Sequence, residues 1–316
     1  MSEILYVVVP CYNEEEVLKE TADRLEKKFS SLISAEKISE KSRIVFVNDG
    51  SKDITWEIIC GLHEKNKIFS GINLSRNRGH QNALLAGLMT VKNFADIVIS
   101  MDADLQDDIN AVDEMIEKYK LGFDIVYGVR SKRDTDTFFK KFTAESFYKL
   151  INFLGGDIVE NHADYRLMSR RALDGLEKFG EVNLFLRGII PMIGYPSTIV
   201  YYERAERFAG ESKYPLKKML FFAFQGITSL TVEPIRMITS LGFLISLISF
   251  LVIVWIFYKH FTGETVIGWS SILVSVWFLG GLVLLSVGVV GEYIGKIYLE
   301  TKKRPRFIVS EFLNTL

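Results

Sequence analysis

A chain of 316 residues holds one large domain or two smaller ones, and 38 Lys and Arg against 39 Asp and Glu leave a formal net charge of −1, which excludes nucleic acid as a partner attracted by bulk charge. The two cysteines, Cys11 and Cys60, stand far apart and form no C-x-x-C or Cys/His cluster, which excludes a disulfide framework or structural zinc and fits a reducing compartment. The hydrophobic fraction of 48% and mean hydropathy of +0.17 are high for a soluble protein, and the excess sits in the last quarter of the chain.

The N-terminus enters a strand-like run at once, with no basic n-region, so no signal peptide is expected. Residues 4–9 predict a buried strand stopped by Pro10, after which Asn13 is placed as the N-cap of an amphipathic helix whose acids, Glu14 to Glu16, suit a helix start. Ile44–Val47 predicts a second buried strand, ending in Asn48-Asp49-Gly50-Ser51-Lys52-Asp53. A helix over 54–65, a strand at 70–74, the polar loop Ser75–His80 and a helix over 81–92 follow. A strand at 96–101 then runs into Asp102-Ala103-Asp104-Leu105-Gln106-Asp107. In extended chain, alternate side chains share a face, so Asp102 and Asp104 point the same way and repel unless a cation lies between them. Mg²⁺ or Mn²⁺ suits such oxygen ligands and leaves room for a diphosphate.

Short apolar strands alternating with helices of about a dozen residues predict βαβ units, a mostly parallel sheet and an α/β fold. Ligands of such sheets lie at the carboxyl ends of the strands. Pro10–Glu14, Asn48–Asp53, Ser75–His80 and Asp102–Gln106 all follow a strand, so they are expected to meet along one edge as a site. Downstream come a strand at 124–128, Arg130 and Arg133, a helix-like segment at 138–154, Asp164 with Arg166, Arg187, a strand around 196–202 and the charged run 204–214. His80 is read as a capping or loop histidine, and Cys11 as packing in a small-residue slot.

The tail changes character. Residues 215–234 read as an amphipathic helix suited to a membrane surface. Residues 238–258 and 269–291 carry no charge and are long enough to span, with aromatic residues Trp255, Tyr258 and Trp269 near their ends. The short connection at 259–268 makes them a hairpin. Lys217, Lys218 and Arg236 precede it, and Lys296, Lys302, Lys303, Arg304 and Arg306 follow, which places both ends in the cytosol. The expected division is therefore a catalytic domain over 1–212, juxtamembrane helices over 213–236, two transmembrane helices within 237–292 and a cytosolic tail over 293–316.

The motifs Val9-Pro10-Cys11-Tyr12-Asn13-Glu14-Glu15, Val47-Asn48-Asp49-Gly50-Ser51, Leu74–His80, Met101–Asp107, Asp164–Met168 and Ala209–Tyr214 together resemble the family 2 glycosyltransferases of GT-A fold. Within that family they are most similar to the polyprenyl-phosphate glycosyltransferases related to bacterial GtrB proteins and dolichyl-phosphate mannose synthase. The resemblance covers some two-thirds of the chain, and the two-helix tail fits the GtrB-like group. It implies that Pro10, Tyr12, Glu14, Asp49, Arg76 and Asp102 line a nucleotide sugar, and that Asp102, Asp104 and Gln106 hold the metal and diphosphate. Asn48 departs from a first Asp found in much of the family. Asp164, Asp104 and Arg130 match catalytic positions, with Asp164 the proposed base, although an acceptor that is already anionic leaves Asp164 free to orient rather than deprotonate. Arg130, Arg133, Arg166, Arg187, Arg204, Arg207 and Lys213 match a cradle for the acceptor phosphate or the diphosphate. The implied reaction is inverting transfer of a hexose from a UDP-sugar, UDP-glucose ahead of UDP-N-acetylglucosamine, to undecaprenyl phosphate at the bacterial cytoplasmic membrane. The resemblance further implies a homo-oligomer, a tetramer being one form. A processive polysaccharide synthase would need a Q-x-x-R-W segment and more spans, and a catalytically silent membrane anchor would not need the Asp pair.

Overall fold

The computed structural model describes residues 2–131, 162–182, 184–203, 233–261 and 269–314. The expected helix at 138–154, most of the juxtamembrane segment, and Arg133, Arg204, Arg207 and Lys213 lie outside them. In chain order the elements are β1 (Leu5–Cys11), α1 (Leu18–Ser34), β2 (Arg43–Asn48), α2 (Thr55–Lys65), β3 (Phe69–Leu74), α3 (His80–Val91), β4 (Ile97–Ser100), α4 (Ala111–Lys120) and β5 (Ile125–Arg130). Then follow β6 (His162–Ser169), α5 (Arg170–Glu177), α6 (Leu186–Met192), β7 (Ser197–Tyr202), α7 (Glu233–Phe261), α8 (Trp269–Lys302) and β8 (Val309–Leu313).

The strands form one sheet in the order β7-β5-β6-β4-β1-β2-β3-β8. Strands β4, β1, β2 and β3 run parallel to one another, as do β5 and β7, whereas β6 and β8 run antiparallel to the strands they pair with. The sheet is thus mixed rather than purely parallel. The exception at β6 matters, because an antiparallel strand brings its first residues, not its last, to the carboxyl edge. Arg166 is the register partner of Ser100, so Asp164 comes level with Asp102 just beyond the end of β4.

Both faces of the central strands are covered, which is why their sequences read as unbroken apolar runs. Val7, Val9, Ile44, Phe46 and Ile99 pack with α1, α2 and α4 on one side. Tyr6, Val8, Val45, Val47 and Val98 pack with α3, α5 and α6 on the other. Gly87 sets the distance of α3 from the sheet: a Cβ there would lie 2.4 Å from Val8 Cγ1 and 2.7 Å from Val47 Cγ2.

Two local expectations are corrected. Strand β1 continues through Pro10 to Cys11, because its pairing with β4 ends at Val8 and the missing N–H falls where no strand flanks that side. Asn13 is not a helix cap. Helix α1 begins at Leu18 with no side-chain cap, while Asn13, at φ 54°, accepts a hydrogen bond from Lys52 N at 2.9 Å and so stitches the first loop to the second.

The segments expected to span a membrane fall inside α7 and α8, of 29 and 34 residues. Among the described residues one stretch, Phe278–Lys302, is long and apolar enough to cross a bilayer. Phe243, Leu251 and Trp255 of α7 and Phe278, Leu284 and Val287 of α8 are exposed. The tail beyond α8 is not a loose extension. Strand β8 pairs with β3, Ser75 N donates to Ile308 O at 3.0 Å, and Arg306 donates to Phe179 O at 2.5 Å. Glu300 accepts from Val182 N at 2.7 Å.

Gly87→Leu is expected to force α3 off the sheet and cost about 1–3 kcal/mol, read as a lower thermal unfolding midpoint of the purified protein.

Candidate active site

The loops that follow β1, β2, β3 and β4 meet at the carboxyl edge, as the strand pattern predicted. Tyr12 presents an exposed ring there, and Pro10 is buried at the strand end. Glu14 N donates to Thr55 Oγ1 at 3.0 Å, and Asn13 N to Ser51 Oγ at 3.0 Å. Asn48, the departure from the resembled family's first Asp, donates to Asn73 Oδ1 and accepts from Ser51 N, a pair of roles that a carboxylate could not fill. Asp49 is buried, and its two oxygens accept Arg78 N and Gly79 N at 2.7 and 2.8 Å. It therefore anchors the third loop from beneath. Gly50 makes that contact possible. Its φ is +62°, and a Cβ would lie 2.5 Å from Asn77 N. Arg76 is exposed on the same loop.

After β4 the alternation holds. Met101, Ala103 and Leu105 are buried, while Asp102 and Asp104 are partly exposed. Asp104 accepts from Gln106 N at 3.2 Å, and Leu105 takes φ 59°, which turns the chain and tucks Gln106 in. Burial raises the Asp102 carboxyl; His80 opposes this, while Asp164 and Asp104 add to it. These are hard oxygen donors whose crowded charge a divalent cation would relieve, so the donor set fits the expected metal. Among the described residues no group of three or more His, Cys, Asp or Glu side chains is placed to hold a metal ion.

Level with Asp102 lies a cationic group on the α3/α6 face of the sheet. Asp164 accepts from Arg166 Nη2 at 2.5 Å and from Arg187 Nε and Nη2 at 3.4 and 3.3 Å. His80 Nε2 stands 3.5 Å from both Asp164 Oδ2 and Asp102 Oδ1. Burial alone would raise the Asp164 carboxyl, but Arg187, the His80 hydrogen bond and Arg166 hold it well below the usual carboxylate range. Desolvation lowers the His80 pKa, yet the Asp164 hydrogen bond and the Asp102 charge outweigh it and raise the imidazole above its ordinary value. Arg166 is wholly buried, and its Nε and Nη1 meet no hydrogen-bond partner among the described residues.

Behind the carboxylate pair is a second network. Tyr202, the last residue of β7, donates to Asp107 Oδ1 at 2.5 Å and accepts from Arg130 Nε at 3.3 Å. Arg130 Nη2 lies 3.8 Å from the same Asp107 oxygen. Burial, then the Asp102 charge, pushes Asp107 up to about 6 against the pull of Tyr202 and Arg130. The Tyr165 ring meets Tyr202 edge-on at 5.3 Å and its hydroxyl donates to Asp108 O at 3.0 Å, which fixes the chain just past the Asp pair.

The structure thus gathers Pro10, Tyr12, Glu14, Asp49, Arg76, Asp102, Asp104, Gln106, Arg130, Asp164, Arg166 and Arg187 at one edge. Sequence reasoning set His80 aside as a capping histidine and gave Tyr202 no role. His80 opens α3 but makes no side-chain cap; the polar loop after β3 was its signal. Tyr202 had none, since its partner Asp107 is 95 residues away.

Residues 6–176, more than half of the chain, match the model of glycosyl transferase family 2. The chain belongs to that family. The uncharacterized glycosyltransferase YkoT of Bacillus subtilis (strain 168) is 53% identical over 306 residues, 97% of this chain and 91% of its own. The bactoprenol glucosyl transferase of Shigella phage SfX is 42% identical, covering 96% of this chain and 97% of its own. The prophage bactoprenol glucosyl transferase homolog of Escherichia coli (strain K12) is 41% identical with the same coverage. As a family 2 member the protein is a glycosyltransferase.

Tyr202→Phe removes the donor to a buried carboxylate. It is expected to cost about 1–3 kcal/mol and to lower the midpoint in urea unfolding, with Arg130 released from its tether.

Proposed function

We propose that the protein transfers glucose from UDP-glucose to a polyprenyl phosphate, with inversion at C1, at the cytosolic face of a bacterial membrane. The observation that carries this reading is the pairing of the Asp102/Asp104 carboxylates with a cationic group, Arg187, Arg166 and His80, on one sheet edge of a chain that also bears two long apolar helices. The names of the phage and prophage relatives support the glucose and the lipid acceptor.

Asp102, Asp104 and Gln106 would hold Mg²⁺ or Mn²⁺, which supplies positive charge to the departing diphosphate. The loops bearing Tyr12, Glu14 and Arg76, with Asp49 holding the third loop, line the nucleotide side. An oxygen of the acceptor phosphate attacks C1 as the bond from C1 to the UDP oxygen breaks, and UDP leaves. That oxygen is anionic at neutral pH, so the step needs orientation more than deprotonation. Arg187 and Arg130, with Arg133, Arg204, Arg207 and Lys213 from the neighbouring segments, are assigned to the phosphates, where guanidinium groups give charge and fixed geometry together.

Helices α7 and α8 are proposed as a transmembrane hairpin. Basic residues flank it on both outer sides, and the return of the chain from α8 into the catalytic sheet supports a cytosolic location for both ends. The lipid phosphate then reaches the site from the bilayer surface.

Membranes containing the protein, incubated with radiolabelled UDP-glucose, UDP-N-acetylglucosamine and UDP-galactose in parallel, are expected to place label from UDP-glucose into the organic-solvent phase. Label entering from another sugar, or no lipid-linked label, overturns the donor or the reaction. Asp102→Asn and Asp104→Asn are each expected to reduce that transfer at least 100-fold while inserting and folding normally, and EDTA is expected to do the same to the wild type until Mg²⁺ or Mn²⁺ is restored.

A further inference from the structure

A carboxylate offers about four lone-pair sites on its two oxygens. At Asp164, donors converge on all of them. Oδ1 takes Arg166 Nη2 at 2.5 Å and Arg187 Nε at 3.4 Å. Oδ2 takes Arg187 Nη2 at 3.3 Å and faces His80 Nε2 at 3.5 Å. A general base must present a lone pair to the proton it removes at about 2.6–3.2 Å. Here any such approach would first displace a cationic donor.

The three cations are not equivalent. Arg166 is fully buried, whereas the side chains of Arg187 and His80 are 39% and 43% exposed. Both face the edge where Asp102 stands, His80 touching it at 3.5 Å. Arg187 comes from the start of α6 and His80 from the start of α3, and both meet β6 at the Asp164 carboxylate. That carboxylate is the common hub.

We infer that Asp164 is a positioning residue, which holds Arg187 as a donor to the oxygens of a substrate phosphate, with His80 fixed between Asp164 and Asp102, and does not itself take a proton. This rests on the proposed transfer reaction. The phosphate has two possible sources, the acceptor phosphomonoester and the donor diphosphate, and the kinetics distinguish them. The depressed pKa of Asp164 agrees with this role, since a group so held stays ionised throughout.

The test uses full-length protein in detergent or membranes, comparing Asp164→Asn, Arg187→Ala and the double variant with wild type. Each single variant is expected to raise KM for one substrate at least tenfold, with the pH profile of kcat keeping its wild-type shape. A rise for the polyprenyl phosphate assigns the pair to the acceptor, and a rise for UDP-glucose assigns it to the donor. The double variant is expected to be no worse than the worse single one, because both remove the same unit. A thousandfold fall in kcat for D164N at unchanged KM, with loss of the acid limb of the pH profile, overturns the inference; so does wild-type KM in R187A.

Calorimetric binding of UDP-glucose and of a short-chain polyprenyl phosphate gives a readout that does not need turnover. Weaker binding of one of them to both single variants supports positioning, and undisturbed binding refutes it, even if the wild type yields no lipid-linked product and the transfer reading itself falls. If D164N does not fold, R187A and His80→Asn carry the same comparison.

Discussion

Like charge has to be managed before anything else at this edge. Four carboxylates, Asp102, Asp104, Asp107 and Asp164, stand where the strands end, and the charges of their neighbours raise the carboxyls of Asp102 and Asp107. Each is answered differently. Asp164 is saturated with guanidinium and imidazole donors, Asp107 shares Tyr202 and Arg130, and Asp104 is turned onto a backbone N–H. Asp102 is left with His80 as its only ion pair among the described residues. The edge is therefore divided into a saturated half and a half that still favours a cation, and the sheet supplies the division by running β6 against β4.

That antiparallel strand also explains why two remote sequence motifs act together. A parallel strand at the same place would have sent Asp164 and Arg166 to the opposite edge, some residues away from Asp102. Instead the register Ser100↔Arg166 sets the two motifs side by side, and Ser100 Oγ donates to the Asp164 carbonyl at 2.5 Å, locking that register.

Much of this was legible from local pattern. Buried parallel strands announce themselves as apolar runs, and the polar tails after Pro10, Val47, Leu74 and Ser100 had to converge once the strands were parallel. The same-face placement of Asp102 and Asp104 followed from the two-residue period of extended chain. What escaped was non-local. His80 is defined by Asp164, 84 positions onward, and Tyr202 by Asp107. Pro10 stops a strand only when a neighbour needs its N–H, and the sequence does not say where β4 stops pairing. Asn13 had the right chemistry for a cap, but a partner across the edge, Lys52 N, outcompeted the helix.

Strand β8 was the least legible element, a five-residue tail behind a basic stretch, and it has a consequence for biosynthesis. The outer edge of β3 is completed by residues 309–313, so the catalytic sheet stays open on that flank until a segment translated after α7 and α8 arrives. By then the apolar helices α7 and α8 have already been translated. The loop anchored on Asp49 and tied through Ser75 to Ile308 is thus closed only after both apolar helices have been made. A chain cut short before Val309 leaves the outer edge of β3 unpaired and presents a bare strand for aggregation.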